Sequence, residues 1–300
     1  MLDLGRLRAL HAVHVHGSVG AAATALGYTP SAVSQQISKL ERETRTVLLE
    51  RSGRGVTLTD AAELLVSTAR ELMAIVESAE VALEEQRGKP SGRLTLAAFP
   101  TAAAGLLPSV LAELSATYPS LELRLTEVDA HLSVDLVARG VVDLAVAHDW
   151  DIAPLPAPEG LGRAVIGEDR CDVLVPAGHR LAERESLVRA DVAHERWICQ
   201  PAGSVCHEWL VRTLREAGTE PDMAFQVGEY GTQLALVEAG LGIALVPRLG
   251  RGPVPDRVTV LPLEPAPVRR LYALWRAGAA RRPSITAAVD MLKAHWSIAR

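Results

Sequence analysis

The sequence predicts an N-terminal winged helix-turn-helix, a long connecting helix and a larger two-lobed α/β domain. Three observations carry this. Ser18–Leu40 reads as two short capped helices joined by a tight turn, and a basic, glycine-bearing hairpin follows over Glu50–Thr59. From Leu58 to Leu83, apolar residues recur alternately four and three apart. Beyond Gly92, strands and helices alternate in β-α-β-α-β order, which implies an open and largely parallel sheet. We place the domains at residues 1–59, 60–88 and 89–300. Within the last, lobe I covers about 92–164 and 268–300, and lobe II about 165–267.

A chain of 300 residues exceeds one ordinary domain. With 48% apolar and 22% charged residues it has the composition of a soluble globular protein. No stretch reaches the ~18 uninterrupted apolar residues of a membrane span. The N-terminus lacks the charged head and apolar core of a secretory signal. Cys171, Cys199 and Cys206 are irregularly spaced and suggest no disulfide framework. The cytoplasm is therefore the expected compartment. The net charge of −5 argues against general nucleic-acid affinity. Its distribution matters more: residues 1–58 carry a net +3 and residues 60–87 a net −5.

The first helix is expected over Leu4–His16, with Leu7 and Leu10 turned toward the core. His11, His14 and His16 have a spacing that a metal site permits. Nothing nearby in sequence adds a carboxylate or thiol at ligand spacing, so a structural role is expected. Ser18 can cap the second helix, whose small face is Ala22, Ala25 and Leu26. Gly27 suits the left-handed position that ends it. Thr29 caps the third helix and Pro30 takes its first position, where a missing N–H costs nothing. Val33, Ile37 and Leu40 face inward at helical spacing. The other side shows Ser31, Ser34, Gln35, Ser38 and Lys39. A DNA reader needs this division, with one face packed and one meeting base edges and phosphates. Two capped helices also build domains that bind no DNA, so the context decides.

The context is a hairpin whose Ser52-Gly53 and Arg54-Gly55 are turn signals. It holds Arg51 and Arg54 beside the helix pair, where phosphates or a minor groove would be met. From Thr59, a helix to about Gln86 carries Leu58, Ala62, Leu65, Ala69, Leu72, Val76, Ala79 and Leu83 as a heptad seam. One helix cannot cover such a seam by itself. A homodimer through residues 58–86 is expected, which would present two readers to two half-sites of double-stranded DNA.

Gly88–Gly92 reads as a linker. Strands are expected at Arg93–Ala98, Leu121–Val128 and Val142–Ala147, with helices at Ala102–Thr117, broken at Pro108, and at Val134–Arg139. Past the proline-rich Pro154–Pro158 come strands at Val165–Ile166, Cys171–Val175, Trp197–Cys199, Phe225–Val227 and Gly242–Val246. Helices fall at Val205–Ala217 and Thr232–Ala239. Strands at Val258–Leu263 and Arg270–Trp275 and a helix at Ser284–Trp296 close the chain. Two lobes with strands passing between them make a cleft at the strand ends, where open sheets bind ligands.

These residues resemble the LysR-type transcriptional regulators. The resemblance covers the whole chain and is strongest in Ala21–Glu41 and Glu50–Thr59. Downstream, Leu106-Leu107-Pro108, Tyr118-Pro119, Gly140–Leu144 and Val237–Pro247 also look like the family's effector domain. The resemblance implies a winged helix-turn-helix, a dimerising linker helix, a two-lobed domain like periplasmic binding proteins, an effector in the interlobe cleft and usually a homotetramer. On matching positions, Pro30, Ser31, Ser34 and Gln35 would face bases or phosphates and Arg54 would serve the wing. Two places differ: Gln35 stands where a basic residue is usual, and Thr46–Glu50 replaces a Gly-aliphatic-Arg-Leu-Phe run. Ser18, Thr29, Ser38, Lys39 and Arg51 complete the candidate DNA-facing set.

Effector contacts are expected from Pro100, Thr101 and Ala102 after the first strand, with Thr101 as a helix cap. The helix start there would suit a carboxylate. Gln200 and Ser204 hold the matching place in lobe II, His148 and Asp149 follow another strand, and Glu229 and Tyr230 precede a helix. Asp149, His148 and Ser204 could be written as a triad, but no Gly-x-Ser-x-Gly elbow accompanies them, so no enzyme is expected. Cys199, Cys206 and His207 lack the paired spacing of zinc ligands. Cys206 lies near the reactive-cysteine position of the family's peroxide sensors, and the second cysteine those sensors need downstream is absent. A buried or ligand-lining thiol is the expectation. No phosphate-binding glycine loop implies a nucleotide cofactor. The alternative function is a small-molecule binding protein whose N-terminal module serves only assembly.

Overall fold

The computed structural model describes residues 2–52, 55–151, 154, 160–216 and 218–298. The chain divides into two compact units, Met1–Leu83 and Glu84–Arg300.

In the first unit, α1 (Leu4–His16), α2 (Val19–Leu26) and α3 (Pro30–Thr44) precede a hairpin of β1 (Leu49–Ser52) and β2 (Gly55–Leu58), and α4 (Asp60–Arg87) follows. Local chemistry sets each boundary. Asp3, Ser18 and Thr29 cap the three helices by accepting from Arg6 N, Ala21 N and Ala32 N. Gly17 and Gly27, both at φ 69, end α1 and α2 in the left-handed region. The third helix runs four residues past Leu40 and ends at Arg45, also left-handed at φ 52. Glu41 Oε1 accepts from Leu48 N at 2.9 Å, which ties α3 to the start of the hairpin. The Thr59 hydroxyl accepts from Ala62 N and caps α4.

Leu7, Leu10, Ala22, Val33, Ile37 and Leu40 form the core of this unit, as the spacing predicts, and Val13 and Ala23 join them. The heptad seam divides in a way the sequence did not reveal. Ala62, Val66 and Ala69 belong to the same core, so the first turns of the seam pack within the unit. Leu72, Ile75, Val76 and Leu83 remain exposed.

The second unit carries a ten-stranded sheet. Its first half has β3 (Gly92–Ala98), α5 (Pro100–Gly105), α6 (Leu107–Thr117), β4 (Leu121–Glu127), α7 (Ala130–Ala138) and β5 (Leu144–Trp150). The helix expected over Ala102–Thr117 breaks at Leu106 rather than at Pro108; the proline sits in the first turn of α6, where no N–H is needed. The next helix begins at Ala130, four residues before the expected start, because Asp129 caps it through His131 N.

β6 (Leu161–Pro176) is one strand of 16 residues, not the two expected. Then come β7 (Leu187–Val188), α8 (Arg189–Val192), β8 (Arg196–Cys199), α9 (Val205–Glu216), β9 (Asp222–Gln226), α10 (Tyr230–Glu238), β10 (Ile243–Pro247), β11 (Val258–Glu264), β12 (Val268–Arg276) and α11 (Pro283–Ile298). The sheet order is β4-β3-β5-β12-β6-β10-β8-β9, with β11 on β6 and β7. Residues 161–170 of β6 pair with β12, and 171–176 with β10 and β11, so the changeover between lobes falls at Arg170/Cys171.

Helices cover both faces of each lobe. Around lobe I, Leu96, Val110, Leu114 and Leu292 fill one face, and Val134, Val137, Ala145 and Tyr272 the other. In lobe II, Trp197, Trp209 and Leu214 pack one face, and Ile198, Val237 and Val246 the other.

Candidate nucleic-acid interface and effector cavity

The third helix separates its residues as a DNA reader requires. Val33 and Leu40 are fully buried, while Pro30, Ser31, Ser34, Gln35, Ser38 and Lys39 are all exposed on other faces. Ser18 and Thr29 spend their hydroxyls on helix caps, and the Thr29 oxygen also lies 3.0 Å from the Ser31 oxygen. Arg42, which the sequence reading passed over, is exposed one turn beyond Ser38 and donates to its carbonyl at 3.2 Å. Arg54 and the side chain of Arg51 lie outside the described residues. His11 is buried, and His14 Nδ1 lies 3.6 Å from Glu63. Among the described residues no group of three His, Cys, Asp or Glu could hold a metal ion.

In the second unit a cavity of about 570 Å³ opens between the lobes. It gathers Pro100, Thr101, His148, Gln200, Ser204, Glu229 and Tyr230, seven of the nine expected effector residues. Two do not line it. Ala102 is a buried residue within α5, and its N–H already bonds to the Phe99 carbonyl at 3.0 Å. Asp149 is within β5 rather than after it, and alternation turns it from His148. Its carboxylate accepts from Arg270 Nε and the Tyr272 hydroxyl, both at 3.2 Å. His148, Asp149 and Ser204 therefore assemble no relay.

Thr101 is also corrected. It does not cap α5, whose preceding residue Phe99 offers no side-chain cap. The Thr101 hydroxyl instead accepts from Arg269 Nη2 at 2.6 Å. Arg269 is the residue the reading missed. It is 1% exposed yet lines the cavity. Asp169 accepts from its Nε at 2.8 Å, and the guanidinium lies 4.9 Å from the Phe99 ring centroid. Burial is the largest single influence and works against its charge, but Asp169, with Cys171, Tyr230 and Cys206 adding to it, together outweigh burial and keep the group cationic. Its Nη1 has no hydrogen-bond partner among the described residues. The signal was parity: Arg269 shares a strand face with buried Leu271 and Ala273.

His148 stands edge-on to Phe99, with ring centroids 4.6 Å apart. Burial, then the Arg269 charge, hold its pKa well below the ordinary value, so it is neutral. Gln200 Nε2 donates to the Gly228 carbonyl at 2.9 Å, and the Ser204 hydroxyl caps α9 through His207 N. Glu127, Asp129 and His131 also line the cavity and were not expected. The late helix start assigned to α7 hid the last two.

All three cysteines border a separate void of about 20 Å³, together with Trp150 and Tyr230. They are free thiols. Burial pushes Cys199 up to about 11, and Cys171 and Cys206 are also raised by it. The Tyr230 hydroxyl donates to Cys206 Sγ at 3.8 Å. No helix among the described residues is long and apolar enough to cross a membrane.

Comparison with known proteins addresses both units. The family described as bacterial regulatory helix-turn-helix protein, lysR family, matches residues 4–63, and the LysR substrate binding domain matches residues 87–297. Among curated relatives, a hydrogen peroxide-inducible genes activator of Pectobacterium carotovorum subsp. carotovorum is 28% identical over 98% of this chain and 97% of its own. The transcriptional dual regulator GltC of Bacillus subtilis is 27% identical over 81% of this chain and 80% of its own. Full-length OxyR from Pseudomonas aeruginosa, solved as a variant, has TM-score 0.69 at 22% identity over 98% of this chain and 95% of that one. CbnR solved with its target DNA has TM-score 0.61 at 21% identity over 98% and 100%. At such identities the two structures establish the fold.

Proposed function

The chain belongs to the LysR family and is an effector-responsive, DNA-binding transcriptional regulator, and from that premise we propose how its own residues do the work. The exposed face of α3, with Pro30, Ser31, Ser34, Gln35, Ser38 and Lys39, enters a major groove of double-stranded DNA. Ser18 and Thr29 lie at the helix ends that meet the backbone, and Arg51 and Arg54 of the hairpin bind phosphate or the minor groove. Since Gln35 brings no charge, the hairpin supplies more of the phosphate attraction. The observation that carries this reading is the division of α3 into a buried apolar face and an exposed polar one.

The effector is a small molecule with a carboxylate, held in the interlobe cavity by Arg269 with Thr101, Ser204 and Gln200. What supports this is a buried guanidinium in the cavity wall with one terminal nitrogen free of protein partners among the described residues. The chain pairs through the exposed part of the α4 seam to form a dimer, and dimers form a tetramer. Effector binding alters the angle between lobes, and the paired helices pass this on as altered half-site spacing. The effector then binds DNA-bound and free protein with different affinity, since the two sites share one coupling energy.

A gel shift on the upstream region of the protein's own gene tests the DNA reading. Arg54→Ala should weaken binding and lower the salt slope by about one, and Ser34→Ala should weaken it too. If neither change weakens binding and the salt slope is flat, the N-terminal module serves assembly alone. A titration showing equal effector affinity with and without DNA would overturn the switch.

A further inference from the structure

We infer that the effector is a zwitterion, with a protonated amine held at the cavity rim by Glu127, Asp129 and Glu229 while its carboxylate lies at Arg269. The inference rests on the reading above that an effector occupies this cavity.

The cavity lining is sorted by depth. Thr101, His148, Ser204 and Arg269 are buried at its base. Glu127 and Glu229 are exposed at its rim, and Asp129 is half-buried. Arg269 is the sole Arg or Lys among the described lining residues, and its charge is already shared with Asp169 at 2.7 Å. A lone carboxylate entering the cavity would therefore face three rim carboxylates and one compensated guanidinium. Coulomb repulsion disfavours that ligand, whereas a molecule with a cation at its outer end meets complementary charge at both ends.

The base provides an independent sign of a missing partner. His148 is 4% exposed, and its Nδ1 has no hydrogen-bond partner among the described residues. Buried polar atoms are rarely left so. A polar ligand seated on Arg269 lies beside this ring.

The rim groups come from both lobes. Glu127 ends β4 and Asp129 caps α7 in lobe I, while Glu229 precedes α10 in lobe II. Asp129 already accepts from the His131 ring at 2.8 Å, and Glu229 from the Thr232 hydroxyl at 3.1 Å. Neither of these partners is an Arg or Lys. Bringing the lobes together concentrates like charge, and an ammonium group between them relieves it. The amine thus gives the ligand a differential affinity for the closed arrangement, which any conformational switch requires. A divalent metal is not the rim cation, since no group of three described His, Cys, Asp or Glu is placed to hold one.

The test uses the full chain in thermal shift and calorimetry. The probes are the protein amino acids, β-alanine and γ-aminobutyrate, each beside the acid lacking its amine and the amine lacking its acid. At least one zwitterion should bind about tenfold or more tightly than both counterparts, the sum expected of a few partly exposed ion pairs. Glu127→Gln with Glu229→Gln should reduce that preference to about twofold; both positions are exposed, and unliganded melting of the double variant reports its fold. A desamino acid that binds equally well, a preference that survives the double variant, or no binding by any probe would overturn the inference. A ligand that alters DNA binding but carries no amine defeats the inference alone. A zwitterion that binds without altering DNA binding defeats the effector reading and leaves the charge preference standing.

Discussion

Glu84 Oε2 accepts from Arg282 Nε at 2.7 Å, with the two residues 5% and 8% exposed. Glu84 sits in the last turn of α4, and Arg282 directly precedes α11. Around them Ser284 N donates to Glu84 at 2.9 Å and Arg282 donates to Asp143 at 2.9 Å. Asp143 in turn accepts from the Thr95 hydroxyl at 2.7 Å, so one network joins the end of α4, β3, the entry to β5 and the start of α11. Arg282→Ala removes the cation from buried Glu84 and leaves Asp143 with Arg276 at 3.6 Å, and should cost about 3–5 kcal/mol. Glu84→Gln keeps an acceptor for Ser284 N and should cost less, about 1–2 kcal/mol. Urea unfolding of the full chain measures both; equal midpoints for all three proteins would show that the network is dispensable.

His148 gives a pH signature. Its folded pKa is depressed by burial and by Arg269, while in the unfolded chain it titrates near 6.5. Below that value the unfolded state binds the extra proton, so stability should fall as pH drops from 6.5 toward the folded value. His148→Gln should flatten this part of the profile, read as urea midpoints across a pH series. An unchanged slope in the variant would assign it to other groups.

Gly250 sits at φ +67, and a Cβ there would lie 2.4 Å from the Thr101 carbonyl oxygen. The adjoining Leu249 N donates to Asp169, the same carboxylate that holds Arg269. Gly250→Ala should therefore cost about 1–3 kcal/mol and weaken effector binding, because α5 must shift. Paired melting and calorimetry separate the two effects, and an alanine variant with wild-type values in both would refute the close approach.

On α4, Leu72 is 37% and Val76 40% exposed on adjoining turns. If the pairing proposed here buries them, Leu72→Glu with Val76→Glu should raise the dimer dissociation constant at least about a hundredfold. Sedimentation velocity reads this directly. A double variant that still sediments as the parent does would place the interface elsewhere.

Cys199, held up near 11, should react with iodoacetamide at neutral pH roughly a hundredfold more slowly than an ordinary thiol. Mass spectrometry of timed quenches follows it. Reaction at the ordinary rate would mean that the pocket opens.

What could be read from the chain alone was whatever its own neighbours determine. Ser18, Gly27, Thr29 and Pro30 act on helix ends within a few residues, so the first helices were legible nearly to their boundaries. The strand β6 was not, because Gly167–Arg170 looks like a polar turn and is held extended by β12, about a hundred residues away. Arg269 was half legible: strand parity turned it inward, but nothing local indicated that Asp169 and Thr101 would receive it. Only the first turns of the seam on α4 misled, for a related reason. Ala62 and Ala69 keep heptad spacing, yet the surface that covers them is built by the same unit.

The passage of β6 through both halves of the sheet limits how this protein can be divided. Cut at Arg170/Cys171, residues 161–170 would keep β12 and residues 171–176 would keep β10 and β11, so the two halves of this one strand belong to different lobes. Lobe I draws on chain before Arg170 and again from Val268 onward, so it cannot be excised or transplanted as one continuous segment. Substitution along the cavity wall, by contrast, can alter ligand choice while leaving this shared strand intact.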